Sequence, residues 1–83
     1  MPKPLDIWAL GVSIYSYATL KLPFFSNNDR ELEELIANEN PQFPEDMSDD
    51  LKDLLNKMLD KDPVKRININ EILMHPWMDE PPE

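Results

Sequence analysis

Cysteine is absent from this 83-residue sequence, and glycine occurs once, at Gly11. The absence of cysteine excludes disulfide bonds, thiolate metal sites and cysteine nucleophiles. His75 is the only histidine, so no second histidine or cysteine can share a metal ion with it, and we expect no metal site. The nine prolines fall between apolar stretches, as expected for loops that join helices. An all-α fold is therefore predicted.

Basic residues are also few. Eight lysines and arginines stand against 17 acidic residues, which gives a formal net charge of -9. Such a surface repels the phosphates of nucleic acids and anionic membranes, so we expect neither as a partner. The longest apolar stretch, residues 7–17, is interrupted by serines and is shorter than the ~20 residues that a membrane span needs. No signal-peptide pattern is present either, and a cytoplasmic location is predicted.

The first predicted helix covers about residues 5–20, with Pro4 suited to its first turn. Its apolar side chains fall on every face, which is typical of a helix buried inside a larger body. A chain of this size, with about three further helices, can hardly surround it. We therefore expect self-association of the isolated chain, by helix packing or by domain swapping, to cover the exposed surface of this helix.

Three further helices are predicted from residues that favour helix starts. Asn28 and Asn68 are each followed three residues later by a glutamate, and Ser48 precedes two aspartates. The apolar residues that follow repeat with a helical period. The acidic, proline-rich tail at 79–83 is expected to be disordered. The four predicted helices lie at about 5–20, 28–38, 48–61 and 69–75.

Four segments resemble, in order, parts of the helical C-terminal lobe (C-lobe) of eukaryotic protein kinases. The sequence D-I-W-A-L-G-V resembles the start of the F helix, and L-P-F-F resembles the loop before the G helix. The sequence L-K-D-L-L-N-K-M-L-D-K-D-P-V-K-R-I is similar to the H helix and its following loop, and I-N-E-I-L-M-H-P-W to the I helix. We assign residues 1–78 to a partial kinase C-lobe on this basis.

The sequences of these segments resemble those of the calcium/calmodulin-dependent kinase group. The phrase F-P-E-D, followed by L-K-D-L-L-N-K-M-L-D-K-D-P, is similar to calmodulin-dependent protein kinase kinases. The resemblance implies a parent serine/threonine kinase that uses ATP and magnesium. The glycine-rich loop, H-R-D and D-F-G that phosphoryl transfer requires are not in this sequence. We therefore expect no catalytic or cofactor-binding residue here, and no activity from the isolated chain.

The resemblance gives structural roles to Asp6 and Arg66. Asp6 would accept backbone N–H groups of the catalytic loop, although an acid in a first helical turn is also favoured by the helix dipole alone. Arg66 would form one half of a buried ion pair with the glutamate that ends the activation segment. Without that glutamate, Arg66 is expected to be solvated or to pair with another acid, including one of a neighbouring chain. Trp8 and Trp77 are expected to be packing residues.

Two positions in the first helix concern its geometry. Gly11 costs about 1 kcal/mol relative to alanine in a helix, and it is best explained by close approach of another segment. Leu20 stands where the kinase family usually has a glycine that stops this helix in a left-handed conformation. Because leucine is strained in that conformation, we expect the helix to continue toward Lys21. A straightened hinge would favour domain swapping.

Residues 27–38 match the G helix, which is a docking surface in many kinases. Glu31, Glu33 and Glu34 are therefore candidate docking residues for a basic partner, and the alternative is a solvated acidic face. For the whole chain two hypotheses follow. It is part of a kinase whose partners are the upstream kinase domain, protein substrates and regulators, or it is a stand-alone, non-catalytic helical interaction module. The module would require a polar outer face on the first helix.

Overall fold

The computed structural model describes residues 2–80. Within them helices are the only regular secondary structure, without a strand, which confirms the predicted all-α fold. None of the helices in this range is long and apolar enough to cross a membrane. The elements are α1 (Pro4–Thr19), α2 (Asp29–Asn38), α3 (Asp49–Met58), α4 (Ile69–Leu73) and a 3-10 helix (Pro76–Asp79).

The helix starts are fixed by side chains that accept backbone N–H groups. The side chain of Asn28 accepts the N–H groups of the second and third residues of α2, and Ser48 accepts one from the first turn of α3. At α4, Asn68 and Glu71 accept each other's backbone N–H groups at 2.9 and 3.1 Å. Each cap stabilises its helix by roughly 1 kcal/mol.

The ends of α3 and α4 lie earlier than predicted. α3 ends at Met58 rather than near residue 61, because the carboxylates of Asp60 and Asp62 each accept the N–H group two residues further on, at 3.0 and 2.9 Å. Such local bonds compete with the helical ones. α4 ends two residues early, and a 3-10 helix follows it up to Asp79. The last three residues of the predicted tail lie outside the described residues.

The end of α1 corrects another expectation. Leu20 adopts the left-handed conformation, with φ 60° and ψ 25°, and its N–H group donates to the carbonyl of Ser16 at 2.8 Å. The prediction that the helix continues toward Lys21 was therefore wrong. The turn usually made by glycine is kept by a leucine whose side chain is 90% exposed.

Replacing this leucine is expected to stabilise the chain. A left-handed conformation costs a non-glycine residue roughly 1–2 kcal/mol, and the exposed side chain of Leu20 has little packing to lose. Leu20→Gly should therefore raise the free energy of unfolding by about 1 kcal/mol in urea titrations. Lys21→Gly is the control, because Lys21 has no positive φ. Equal effects of the two changes would contradict the strain at Leu20.

The core lies between α1 and α3. The described chain is a slab only 16 Å thick in its smallest Cα extent, about two helices deep. Gly11 marks the crossing, since a Cβ atom added there would lie 3.0 Å from both Met58 Cβ and Leu59 Cδ2. α1 therefore buries one face and turns the opposite face to solvent. The buried apolar residues are Ile7, Tyr15, Leu54, Leu55, Met58, Leu59, Ile67 and Ile72.

Candidate functional site

Arg66 is held by the backbone on two sides. Its Nη1 donates to the carbonyl of Pro4 at 2.7 Å, and its Nε donates to the carbonyl of Asp60 at 2.9 Å. The guanidinium carbon lies 5.1 Å from the centroid of the Trp8 ring, in a cation–π arrangement. Among residues 2–80, no carboxylate lies within ion-pair distance of Arg66. The two backbone carbonyls and the Trp8 ring thus use part of the hydrogen-bonding and contact surface of the Arg66 guanidinium.

A second cation lies beside the same aromatic residues. Trp8 and Phe24 stack with ring centroids 6.0 Å apart, and Lys61 Nζ lies 4.7 Å from the Phe24 centroid. Lys61 also donates to the carbonyl of Ile36 at the end of α2. Burial lowers the pKa of the Lys61 ammonium, and the charge of Glu39 partly opposes this effect.

Both cations line one open pocket of about 420 Å³. Two of its lining side chains are positive, none is acidic, and the remainder are apolar. We define this as the Arg66 pocket, and its two cations are suited to bind a carboxylate. The lining residues are Trp8, Ile36, Ala37, Lys61 and Arg66.

The other predicted structural residues lie elsewhere. Asp6 is exposed at the start of α1, where its Oδ2 accepts the backbone N–H group of Lys3 at 2.8 Å. Trp77 is half-buried and lines an open, almost entirely apolar groove with Ile14, Tyr17 and Leu51. The structure therefore joins Trp8 to Arg66 and places Trp77 at a separate site.

The C-terminal 3-10 helix is attached through a histidine whose role the sequence did not reveal. His75 is only 5% exposed, and its Nε2 lies 2.7 Å from Asp53 Oδ2. Its Nδ1 accepts the backbone N–H group of Trp77 at 3.0 Å, so the ring proton belongs on Nε2. Lys57 Nζ lies 2.9 Å from the same carboxylate oxygen. The pair joins residues 22 positions apart, which no local pattern reports.

Acid is expected to weaken this attachment. Hydrogen bonds from Lys57 and then from His75 hold the pKa of the Asp53 carboxyl below its ordinary value of 3.8, although burial opposes them. Because the pKa is lower in the folded chain, these bonds stabilise the fold above pH 3.8 and are lost as the pH falls through the folded value. In Asp53→Asn, the free energy of unfolding should therefore decrease less steeply as the pH falls below that value.

Urea titrations at a series of pH values measure this effect. Asp49→Asn is the matched control, because it removes the same charge from the same helix without removing these hydrogen bonds. An acid dependence that is identical in Asp53→Asn and in the unmodified chain would contradict the assignment.

The three candidate docking glutamates lie on the exposed side of α2. Glu31 accepts a hydrogen bond from Ser26 Oγ at 2.8 Å, whereas Glu33 and Glu34 point away from the core. None of the ten residues of α2 is buried. Within residues 2–80, no group of three acidic or histidine side chains could hold a metal ion.

The comparisons with known proteins agree with this architecture. Residues 1–78 match the family model described as the protein kinase domain. A probable serine/threonine-protein kinase of Dictyostelium discoideum is 43% identical over 77 residues, which cover 90% of this chain and 11% of the relative. The serine/threonine-protein kinase TOS3 of Saccharomyces cerevisiae is 43% identical over 88 residues, covering 89% of this chain and 16% of the relative.

The protein kinase kin1 of Schizosaccharomyces pombe is 38% identical over 74 residues, covering 89% of this chain. The chain spans only 8% of that relative and at most 16% of the two others. The family match, by contrast, covers almost all of the chain. The chain thus belongs to the protein kinase domain family, and its helices form a piece of the kinase C-lobe.

Proposed function

We propose that this chain is the C-lobe portion of an ATP-dependent serine/threonine protein kinase. In the parent enzyme, other segments bind ATP and magnesium and transfer phosphate to serine or threonine of a protein substrate. Support comes from the family match and from relatives that are named serine/threonine kinases. This chain supplies a helical scaffold, and the upstream part of the kinase domain is its first partner.

The Arg66 pocket carries this proposal. The kinase resemblance pairs this arginine with the glutamate that ends the activation segment, and the pocket offers two cations beside apolar walls without an acid of its own. The bonds to the carbonyls of Pro4 and Asp60 fix the guanidinium before any acid binds. A group held in its bound position loses little freedom on binding, so the pocket is prepared for a carboxylate.

Asp6 has a compatible place. Its carboxylate is exposed at the start of α1, and one oxygen accepts the N–H group of Lys3. Such a carboxylate can accept further backbone N–H groups, which is the role that the resemblance gives it toward the catalytic loop.

By the same resemblance, the segments F-P-E-D and L-K-D-L-L-N-K-M-L-D-K-D-P assign the parent to the calcium/calmodulin-dependent kinase group, near the calmodulin-dependent kinase kinases.

Transfer of labelled phosphate from ATP to a protein substrate tests the proposal. The isolated chain should transfer none, whereas the protein read from the complete transcript should contain H-R-D and D-F-G and be active. In that protein, Arg66→Ala should lower kinase activity at least about tenfold, because it removes one partner of a buried ion pair. Lys65→Ala is the control, since it removes a neighbouring exposed cation outside the Arg66 pocket.

A complete reading frame without H-R-D and D-F-G would overturn the proposal and favour a stand-alone interaction module. The outer side of α1 argues against the module, because Leu5 is 73% and Tyr17 is 90% exposed where a module needs polar residues. For protein substrates or regulators of the parent, the exposed acidic side of α2 supports docking of a basic segment.

A further inference from the structure

Lys61 lies between the Arg66 pocket and the C-terminal end of α2. Its ammonium group lines the pocket together with Arg66, and it also donates to the carbonyl of Ile36, 25 positions earlier in the chain. The ammonium group lies over the ring of Phe24, and the guanidinium of Arg66 lies over the ring of Trp8. These two rings stack with only 7° between their planes, so one aromatic pair places both cations at the pocket.

The C-terminal end of α2 receives a donor from another segment. The carbonyl of Leu35 accepts the N–H group of Glu39 at 2.9 Å, which is the last bond of this helix. The carbonyl of Ile36 is therefore one of the last carbonyls of α2, which no N–H group of the helix itself can reach. α2 has no basic residue in its last turn, so the ammonium of Lys61 also supplies the positive charge that this end of a helix favours.

α2 is attached loosely to the rest of the chain. None of its ten residues is buried, and Leu32 and Leu35 are half-buried. A segment with few buried contacts opens locally at a lower free energy than a core helix such as α3. The order of the C-terminal end of α2 therefore depends strongly on the bond that Lys61 donates.

The Lys61 ammonium can bind the helix end and a carboxylate at the same time. It has three N–H donors, of which the carbonyl of Ile36 takes one. A carboxylate bound by Arg66 would lie beside the remaining donors, because both cations line the same pocket. Hydrogen bonds between two charged groups are roughly twice as strong as those between neutral groups, so they would hold Lys61 in place. The negative charge would also oppose the effect of burial, which lowers the pKa of Lys61.

We propose that Lys61 is a positioning residue, which couples a carboxylate bound by Arg66 to the C-terminal end of α2. Occupation of the pocket fixes Lys61, and Lys61 then fixes the end of the helix. Coupling between two sites acts in both directions, so a partner that holds α2 in place would in turn tighten the pocket. The proposal rests on the proposed function, in which the natural carboxylate belongs to the upstream part of the kinase domain.

Nuclear magnetic resonance of the isotope-labelled chain is the first test. The probe is N-acetylglutamate α-amide, whose side-chain carboxylate is its one charge, and N-acetylglutamine α-amide is the uncharged control of the same shape. The ionic strength is held constant, so that screening does not change. The probe should shift the signals of the Arg66 Nε–H group, the Lys61 Cε atom and the Glu39 backbone N–H group with one dissociation constant. The uncharged control should shift none of them.

Hydrogen exchange at Glu39 then measures the order of the helix end, because its N–H group makes the last bond of α2. Saturating probe should slow this exchange at least about fivefold in the unmodified chain. Lys61→Met keeps the apolar stem, removes the ammonium and should abolish the slowing. Lys61→Arg keeps a charged donor and should restore the slowing, which a space-filling role would not require. Lys65→Met is the control, because Lys65 is an exposed cation outside the pocket, and it should leave the slowing unchanged.

Three results would overturn the proposal. One is a probe that shifts the signal of Arg66 without shifting those of Lys61 and Glu39. Another is a slowing of exchange that persists in Lys61→Met. The third is no difference between the charged and the uncharged compound, including no binding of either. This last comparison uses the unmodified chain, so it does not depend on how a variant folds.

The phosphate-transfer test separates this proposal from the kinase assignment. Coupling in this chain, together with a complete protein that transfers no phosphate, would contradict the kinase assignment and leave the role of Lys61 supported. An active complete kinase, together with an exchange rate at Glu39 that does not respond to the probe, would contradict the role of Lys61 alone.

Discussion

Gly11→Val is expected to lower the free energy of unfolding by about 2–3 kcal/mol. A Cβ atom at position 11 would already lie 3.0 Å from Met58 Cβ, and valine adds two methyl groups at this crossing of α1 and α3. Overfilling a packed core costs roughly 1–3 kcal/mol, and valine also loses side-chain freedom in a helix. Urea unfolding followed by circular dichroism measures the change.

Two further variants make this result specific. Gly11→Ala should have a smaller net effect, because the gain of about 1 kcal/mol in helix propensity offsets part of the clash. Ala18→Val places valine in the same helix at an exposed position and reports the intrinsic effect of that residue. If Gly11→Val were no more destabilising than Ala18→Val, then α1 and α3 would not approach each other as closely as described.

Replacing His75 by alanine is expected to have a comparable effect, about 2–3 kcal/mol. The change removes a buried ring, the bond to Asp53 and the acceptor for the N–H group of Trp77. A buried donor left without an acceptor costs roughly 1–3 kcal/mol, and the vacated space adds to this. Near-ultraviolet circular dichroism should also change, because Trp77 loses its fixed position.

Two conservative variants separate the contributions of His75. Asparagine places an oxygen near the position of Nδ1 and can still accept the N–H group of Trp77, but it cannot reach Asp53. Glutamine places a donor near the position of Nε2 and retains the bond to Asp53. Both should be more stable than His75→Ala, and an alanine variant as stable as the unmodified chain would exclude this attachment as a source of stability.

Local features of the fold could be predicted from the sequence. The starts of α2, α3 and α4 depend on bonds between a side chain and backbone groups two or three residues away, as at Asn28, Ser48 and Asn68. A single glycine in an apolar helix likewise reports a close approach at that position. What it cannot report is the identity of the segment that approaches, here Met58 and Leu59.

Contacts between distant positions could not be predicted. The bond between His75 and Asp53 spans 22 positions, and the bond from Arg66 to the carbonyl of Pro4 spans 62. The first depends on how the C-terminal 3-10 helix packs on α3, and the second on how α1 crosses α3. The periodicity of the helices specifies neither arrangement. At Leu20 the local preference of the residue gave the wrong prediction. Leucine disfavours the left-handed conformation, but the hydrogen bond from the Leu20 N–H group to the carbonyl of Ser16 maintains it.

The bonds of Arg66 have a consequence for how related sequences can vary. Its two hydrogen-bond acceptors are the carbonyl oxygens of Pro4 and Asp60, and every residue type carries that atom. Substitutions at positions 4 and 60 can therefore accumulate without removing a partner of Arg66, whereas no residue except arginine can donate to both. Correlated substitution should be undetectable between position 66 and these two positions, although they are in direct contact.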